Sequence, residues 1–117
     1  MKDISGKNND KLRTLDPAFE VIVRRVIARM EARGWAIRVV WGRRTKAEND
    51  ALVLAGFADK NSLHLSGRGA DLVDRMTGYT TDKLHQYYID LATIAKSEGL
   101  KWGGEFSRWD PCHVEMY

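Results

Sequence analysis

Two short stretches of this chain bring together residue types that bind metal ions and move protons. His64 and Asp71 stand seven apart in Ser62-Leu-His64-Leu-Ser-Gly67-Arg-Gly69-Ala-Asp71. Asp110 and His113 stand three apart in Asp110-Pro-Cys112-His113-Val-Glu115. Imidazole nitrogens and carboxylate oxygens are both accepted by zinc, and two histidines with one aspartate make a three-ligand centre with an open position. The second aspartate is then free to act as a base. That is the minimum set for metal-assisted hydrolysis.

Each half of the set has a plainer reading when taken alone. A His and an Asp seven apart fit a surface loop and a turn cap. Gly67 and Gly69 between them change this, because glycine permits a tight path that returns both side chains to one point. His113 adds weight. It falls in an apparent strand, where alternation puts His113 and Glu115 on one face and Cys112 on the other. Glu115 is therefore placed to accept a hydrogen bond from a ligand imidazole, although an ordinary exposed carboxylate has the same spacing. Asp110 precedes a proline, as turn-forming aspartates do. Close to a metal, it would also be able to relay a proton from water to a leaving amine.

The elements that must hold these residues are legible in outline. Asp16 and Pro17 open a first helix, whose stripe of Phe19, Ile22, Val23, Val26, Ile27 and Met30 recurs at helical spacing. Gly34 is its stop. Arg24, Arg25, Arg29 and Arg33 lie mostly off the stripe and form either a basic binding face or a solvated surface. Residues 35–41 read as a buried strand. Thr45-Lys-Ala-Glu48 is a capping box opening a second helix, ended near Gly56. Residues 57–67 form a loop, Ala70–Asp74 a strand, and residues 76–79 a turn. Thr80 or Thr81 is expected to cap a third helix running to Glu98, with Leu84, Tyr88, Leu91, Ile94 and Ala95 inward. Leu100–Trp102 and Cys112–Met116 are strands around a glycine-rich loop. The order implies an α+β fold, about three helices on a small antiparallel sheet. Residues 1–14 are polar and read as a loosely held arm before a single domain over 15–117.

The chain has 117 residues, 44% of them hydrophobic and 30% charged, which suits one folded domain rather than a disordered segment. The net charge of +3 is a modest excess that suits a polyanion or nothing in particular. Cys112 is the single cysteine, so no intramolecular disulfide forms. The first residues contain no apolar stretch of the signal-peptide kind, and no run is long enough to span a membrane.

Taken together, the motifs resemble those of the zinc peptidases related to D-alanyl-D-alanine carboxypeptidases and L-alanyl-D-glutamate endopeptidases, a group with the hedgehog/DD-peptidase fold that includes phage endolysins. Ser-x-His-x-x-Gly-x-Ala-x-Asp is met by Ser62, His64, Gly67 and Asp71; Asp/Glu-x-x-His-x-Glu is met by Asp110, His113 and Glu115. Leu15-Asp-Pro17 looks like the family's opening, Gly42-Arg-Arg44-Thr45 like its Gly-Tyr-Arg-Ser/Thr segment, and Trp102-Gly-Gly-Glu like the Trp-Gly-Gly-Asp of the endopeptidase branch. The likeness covers roughly residues 12–117. It implies zinc bound by His64, Asp71 and His113, Asp110 as the acid/base, and Arg44 on a substrate carboxylate or the oxyanion. Ser62, Glu115 and Trp102 would support the ligands or touch substrate. Two positions depart from the pattern. Gly69 stands where the family has Ala, which should loosen the loop, and Asn49 stands where it often has Gln.

The resemblance implies hydrolysis of the L-Ala–D-Glu bond of peptidoglycan stem peptides, with the D-Ala–D-Ala bond as the alternative. A metal-loaded but inert wall-peptide-binding module is the reading from another class, and the retained Asp110 speaks against it. Nucleic acid is not an expected partner, because the aromatics do not cluster with the arginines as a stacking platform requires. A phage lysis enzyme of this kind would be a monomer made in the host cytoplasm, act at the wall without inserting in the membrane, and need a separate holin-like pore.

Overall fold

The candidate residues are distributed along a four-stranded antiparallel sheet of order β1-β2-β4-β3. In the computed structural model, which describes residues 4–117, the strands are β1 (Ile37–Trp41), β2 (Gly69–Asp74), β3 (Lys101–Trp102) and β4 (His113–Glu115). β2 is buried along its whole length. Its register with β4 pairs Gly69 with Glu115, Ala70 with Val114 and Asp71 with His113. Strand pairing thus sets Asp71 beside His113 although 42 residues separate them. On the other side β1 pairs with β2, and a register shift between Val39 and Trp41 brings Trp41 opposite Asp71. Irregularities of this type bend a strand and re-aim its side chains, here at the end nearest the candidate site.

The described residues form four helices beside this sheet: α1 (Ile4–Leu12), α2 (Pro17–Ala32), α3 (Lys46–Leu54) and α4 (Gln86–Ser97). Asp16 caps α2 by accepting from the Ala18 N–H, with Pro17 in the first turn. Phe19, Val23, Val26, Ile27 and Met30 of α2 are buried, while Ile22 lies at the edge of the core. Each such side chain contributes about 1.5–3 kcal/mol on burial. Gly34 ends the element at φ +95°, a conformation other residues rarely adopt. The arginines of α2 are engaged in ion pairs. Arg24 meets Glu20 and Asn9; Arg25 and Arg29 meet Glu98; Arg33 meets Asp90. Three of the four therefore lash α2 to the end of α4 or its interior rather than forming an open basic face.

Two expectations need correction. The segment read as a loose arm is, over residues 4–12, helix α1. Its polar composition conceals two inward anchors. Leu12 is buried, and the Asn8 amide donates to Ile37 O at 2.8 Å while its oxygen accepts from Val39 N at 2.9 Å. A single side chain thus satisfies the open edge of β1, which no count of apolar residues would reveal. Residues 1–3 of the proposed arm lie outside the described residues. Secondly, α4 begins at Gln86 rather than at Thr80 or Thr81. The Thr80 hydroxyl and Asp82 carboxylate accept from the backbone N–H groups of Asp82 and Leu84, giving those groups partners outside a helix. Leu84 is consequently exposed, not inward, whereas Tyr88, Leu91, Ile94 and Ala95 are buried as expected. The α+β class and the order of the remaining elements agree with the sequence reading.

Candidate active site

His64 sits in a 3₁₀ turn, Leu63–Ser66, that local chemistry builds. Ser62 Oγ accepts from the His64 N–H at 3.1 Å, and Gly67 closes the turn at φ +75°. The neighbouring Arg43 clasps this loop to the α1–α2 connection through Leu65 O and Thr14 O. The imidazole is oriented by Gly42, whose carbonyl lies 2.9 Å from Nδ1. A carbonyl only accepts, so Nδ1 carries the hydrogen and Nε2 of the neutral ring presents a lone pair. That Nε2 is buried and has no hydrogen-bond partner among the described residues; its 3.3 Å approach to Asp71 Oδ1 lacks hydrogen-bond geometry.

His113 is oriented in the complementary sense. Its Nε2 lies 2.7 Å from Glu115 Oε1 and its Nδ1 lies 3.0 Å from Asp71 Oδ1. Alternation places Cys112 away from this pair, fully buried beside Tyr88, where burial pushes its thiol well up. One ligand atom from each of His64, Asp71 and His113 lies within 4.8 Å of the others, and all three residues are buried. The donor set is two imidazole nitrogens and one carboxylate oxygen, the orphaned Nε2 faces it, and each imidazole is held from behind by an oxygen. These residues fit a zinc ion.

Burial opposes charge on Asp71, but its hydrogen bond with His113 and the attraction of both histidines hold its carboxyl well below the usual carboxylate range. Burial likewise opposes protonation of His113, yet Asp71 and Glu115 lift it to about 9. Asp71 and Glu115 thus favour a positive charge at His113. Asp110 behaves in the opposite way: burial and then the charge of Asp71 raise its pKa, partly offset by His113, His64 and Arg44. A carboxyl shifted upward beside a cation-holding group is suited to carry a proton.

Arg44 is buried at the other side of Asp71, with one terminal nitrogen 3.3 Å from Asp71 Oδ2 and the other 3.1 Å from Asn49 Oδ1. Its guanidinium lies 4.9 Å from the Trp41 ring centre, and Nε is a buried donor without a hydrogen-bond partner among the described residues. Asn49 also donates to Asp59 O at 2.9 Å, so this residue fixes both the arginine and the loop that follows α3. Gly69, expected to loosen a loop, is instead a buried strand residue. A Cβ there would lie 2.9 Å from His113 Cε1, so glycine lets that ring approach the strand.

Asp110 is carried by the loop between β3 and β4. Trp102 anchors that loop from behind: its Nε1 donates to Pro111 O at 2.7 Å, and it is not among the residues lining the cleft. Gly103 O accepts from the N–H groups of Phe106 and Asp110. A side chain at Gly103 would meet the Asp110 carbonyl, and one at Gly104 would meet the Trp102 ring. The motif is therefore needed to shape the loop.

The cleft above these groups has a volume of about 930 Å³ and includes three residues with no motif to flag them: Tyr79, Arg108 and Trp109. Tyr79 lines this cleft while remaining largely exposed to solvent. The third histidine, His85, stands at the start of α4 with its ring edge-on to Trp35 and is remote from the cleft lining.

The fold and site define an α+β protein with a cleft over a buried His–Asp–His group. A solved structure of the same fold is the L-Ala D-Glu endopeptidase ChiX from Serratia marcescens, with a TM-score of 0.71 and 24% identity, covering 94% of this chain and 86% of that one. Residues 56–116, more than half of the chain, match the family model described as D-alanyl-D-alanine carboxypeptidase, and the chain belongs to this peptidase family. No curated protein matches the sequence. The matched region holds His64, Asp71, Asp110 and His113; Arg44 and Asn49 precede it. Among the described residues, no helix is long and apolar enough to cross a membrane.

Proposed function

We propose that the chain is a zinc-dependent peptidoglycan peptidase that hydrolyses the L-Ala–D-Glu bond of stem peptides. The observation that carries this reading is the unpartnered, buried Nε2 of His64 facing Asp71 and His113, with Asp110 on the wall of the same cleft. His64, Asp71 and His113 would hold the metal. Zinc supplies Lewis acidity there, acidifying water and polarising a peptide carbonyl.

The chain's own residues do the rest. Gly42 O and Glu115 fix the two imidazoles so that each offers one nitrogen inward. Asp110 takes the proton of the attacking water and delivers it to the leaving amine, a role its raised pKa favours. Arg44, held by Asn49 and Asp71, offers its unpaired Nε and its positive charge to a developing oxyanion or a substrate carboxylate. Trp102 and the two glycines keep the Asp110 loop in place. A phage-type lysis role, reached through a separate pore, belongs to the same reading.

Choice of the L-Ala–D-Glu bond is supported by the fold shared with an endopeptidase of that specificity and by Trp102-Gly-Gly-Glu. The description of the matching family favours D-Ala–D-Ala cleavage as the second reading. Digestion of purified sacculi separates them by mass spectrometry. New L-Ala carboxyl termini on the glycan-linked fragments support the first, release of D-Ala alone supports the second, and no fragments from folded, zinc-loaded protein rule out both.

A further inference from the structure

The cleft contains a second cation that the mechanism above leaves unused. Arg44 is buried and committed to Asp71 and Asn49. Arg108 lies in the loop that carries Asp110, with its side chain 53% exposed. It reaches across the cleft to the loop after α3, donating to the Gly56 carbonyl and lying 3.9 Å from Asp59 Oδ1. The guanidinium therefore spans the two walls without a close carboxylate. Asp59 is 83% exposed at its side chain and stands beyond hydrogen-bond distance, so that pairing is weak and readily exchanged. Arginine's planar fork takes a carboxylate through two parallel hydrogen bonds, and Arg108 lines the cleft.

The remaining charges in the cleft give this cation a purpose. Asp59, Asp71, Asp110 and Glu115 all line it. A peptide that itself carries carboxylates meets like charge on entering, unless a cation is placed to receive it. Position then selects which carboxylate. Asp110 would deliver its proton to the leaving amine, and Arg108, two residues earlier in the same loop, lines the same cleft, which assigns it to the amine side of the bond. In a stem peptide the residue that supplies this amine is D-Glu. It is linked onward through its side-chain carboxyl, so its α-carboxylate is free beside the reacting nitrogen.

We propose that Arg108 is a specificity-determining residue that binds the free α-carboxylate of the residue on the amine side of the cleaved bond, exchanging Gly56 O and Asp59 for it. This rests on the reading of the site as a stem-peptide peptidase. The test uses two synthetic tripeptides, L-Ala-γ-D-Glu-L-Lys and the same peptide with the D-Glu α-carboxylate converted to an amide. Wild type is expected to prefer the acid. Arg108→Gln should raise KM for the acid about tenfold with kcat within about twofold, and should leave KM for the amide unchanged. Arg108→Lys, which keeps the charge but not the fork, should fall between. Thermal melting of each zinc-loaded variant reports that it is folded. An equal loss on both peptides, or no loss on either, in a folded variant overturns the role of Arg108 while leaving the peptidase reading intact. Failure of the wild type to cut either peptide overturns that reading and this proposal with it.

Discussion

Glu115 offers a quantitative test of how the site is organised. Its Oε1 accepts from His113 Nε2 at 2.7 Å, which keeps the hydrogen on that nitrogen and turns Nδ1 toward Asp71. Glu115→Ala removes a hydrogen bond to a charged acceptor, worth about 1.5–3 kcal/mol. The residue is only 7% exposed, so water replaces little of the loss. The imidazole then also becomes free to rotate or to place its hydrogen on the wrong nitrogen. Zinc affinity should accordingly fall about 10–100-fold, the range typical of partners behind a ligand histidine. Glu115→Gln retains an oxygen acceptor without the charge and should lose about 3–10-fold. Competition against a zinc-binding dye at fixed pH measures both Kd values, with melting of the metal-free proteins confirming that each is folded. A folded Glu115→Ala variant that binds zinc within twofold of wild type would refute the argument that this carboxylate positions the ligand.

Other outcomes follow from the same contacts. Zinc at about 100 times its Kd should stabilise the protein by about 2.7 kcal/mol, raising Tm by roughly 10 °C; chelator should reverse this, and His64→Ala should abolish it. Asp90 accepts from Trp35, Gln86 and Arg33, so Asp90→Ala should cost about 2–3 kcal/mol in denaturant unfolding. Burial opposes the Asp90 charge, but those hydrogen bonds hold its pKa below the ordinary value. Its contribution is therefore fully present above the unfolded carboxylate pKa and is lost as pH falls through the lowered one. The stability gap between wild type and Asp90→Asn should narrow below about pH 4. Asn49→Ala should lower kcat/KM at least tenfold with zinc content unchanged, because Arg44 loses the oxygen that fixes one arm of its fork.

What the sequence disclosed was mostly local or periodic. The Asp16 cap, the capping box of Thr45 and Glu48, and the alternation that separates Cys112 from His113 and Glu115 are each written in a few consecutive residues, and the structure has them. Residue types and the glycines of the first motif suggested the convergence of His64, Asp71 and His113, motif resemblance sharpened it, and the β2–β4 register is what brings two of them together. Features that depend on distant partners stayed hidden. The polar helix α1 is fastened by Asn8 to a strand 29 residues away, and Arg25, Arg29 and Arg33 find acids some 57 to 73 residues on. Tyr79 and Arg108 belong to turns whose residues carry no pattern, and only the folded cleft gives them neighbours. The late start of α4 reflects a contest between side-chain turns at Thr80 and Asp82 and a helix that local propensity also allowed.

The division of labour between a three-ligand metal group and a separate proton carrier is the centre of this account. It is tested most directly by measuring zinc content and hydrolysis of an L-Ala-γ-D-Glu peptide together, for wild type and Asp110→Ala. The account predicts one zinc per chain in both proteins, with hydrolysis by Asp110→Ala reduced by about 10²–10⁴-fold, the usual contribution of a positioned acid/base. An Asp110→Ala protein that keeps its zinc and turns over at the wild-type rate would contradict it.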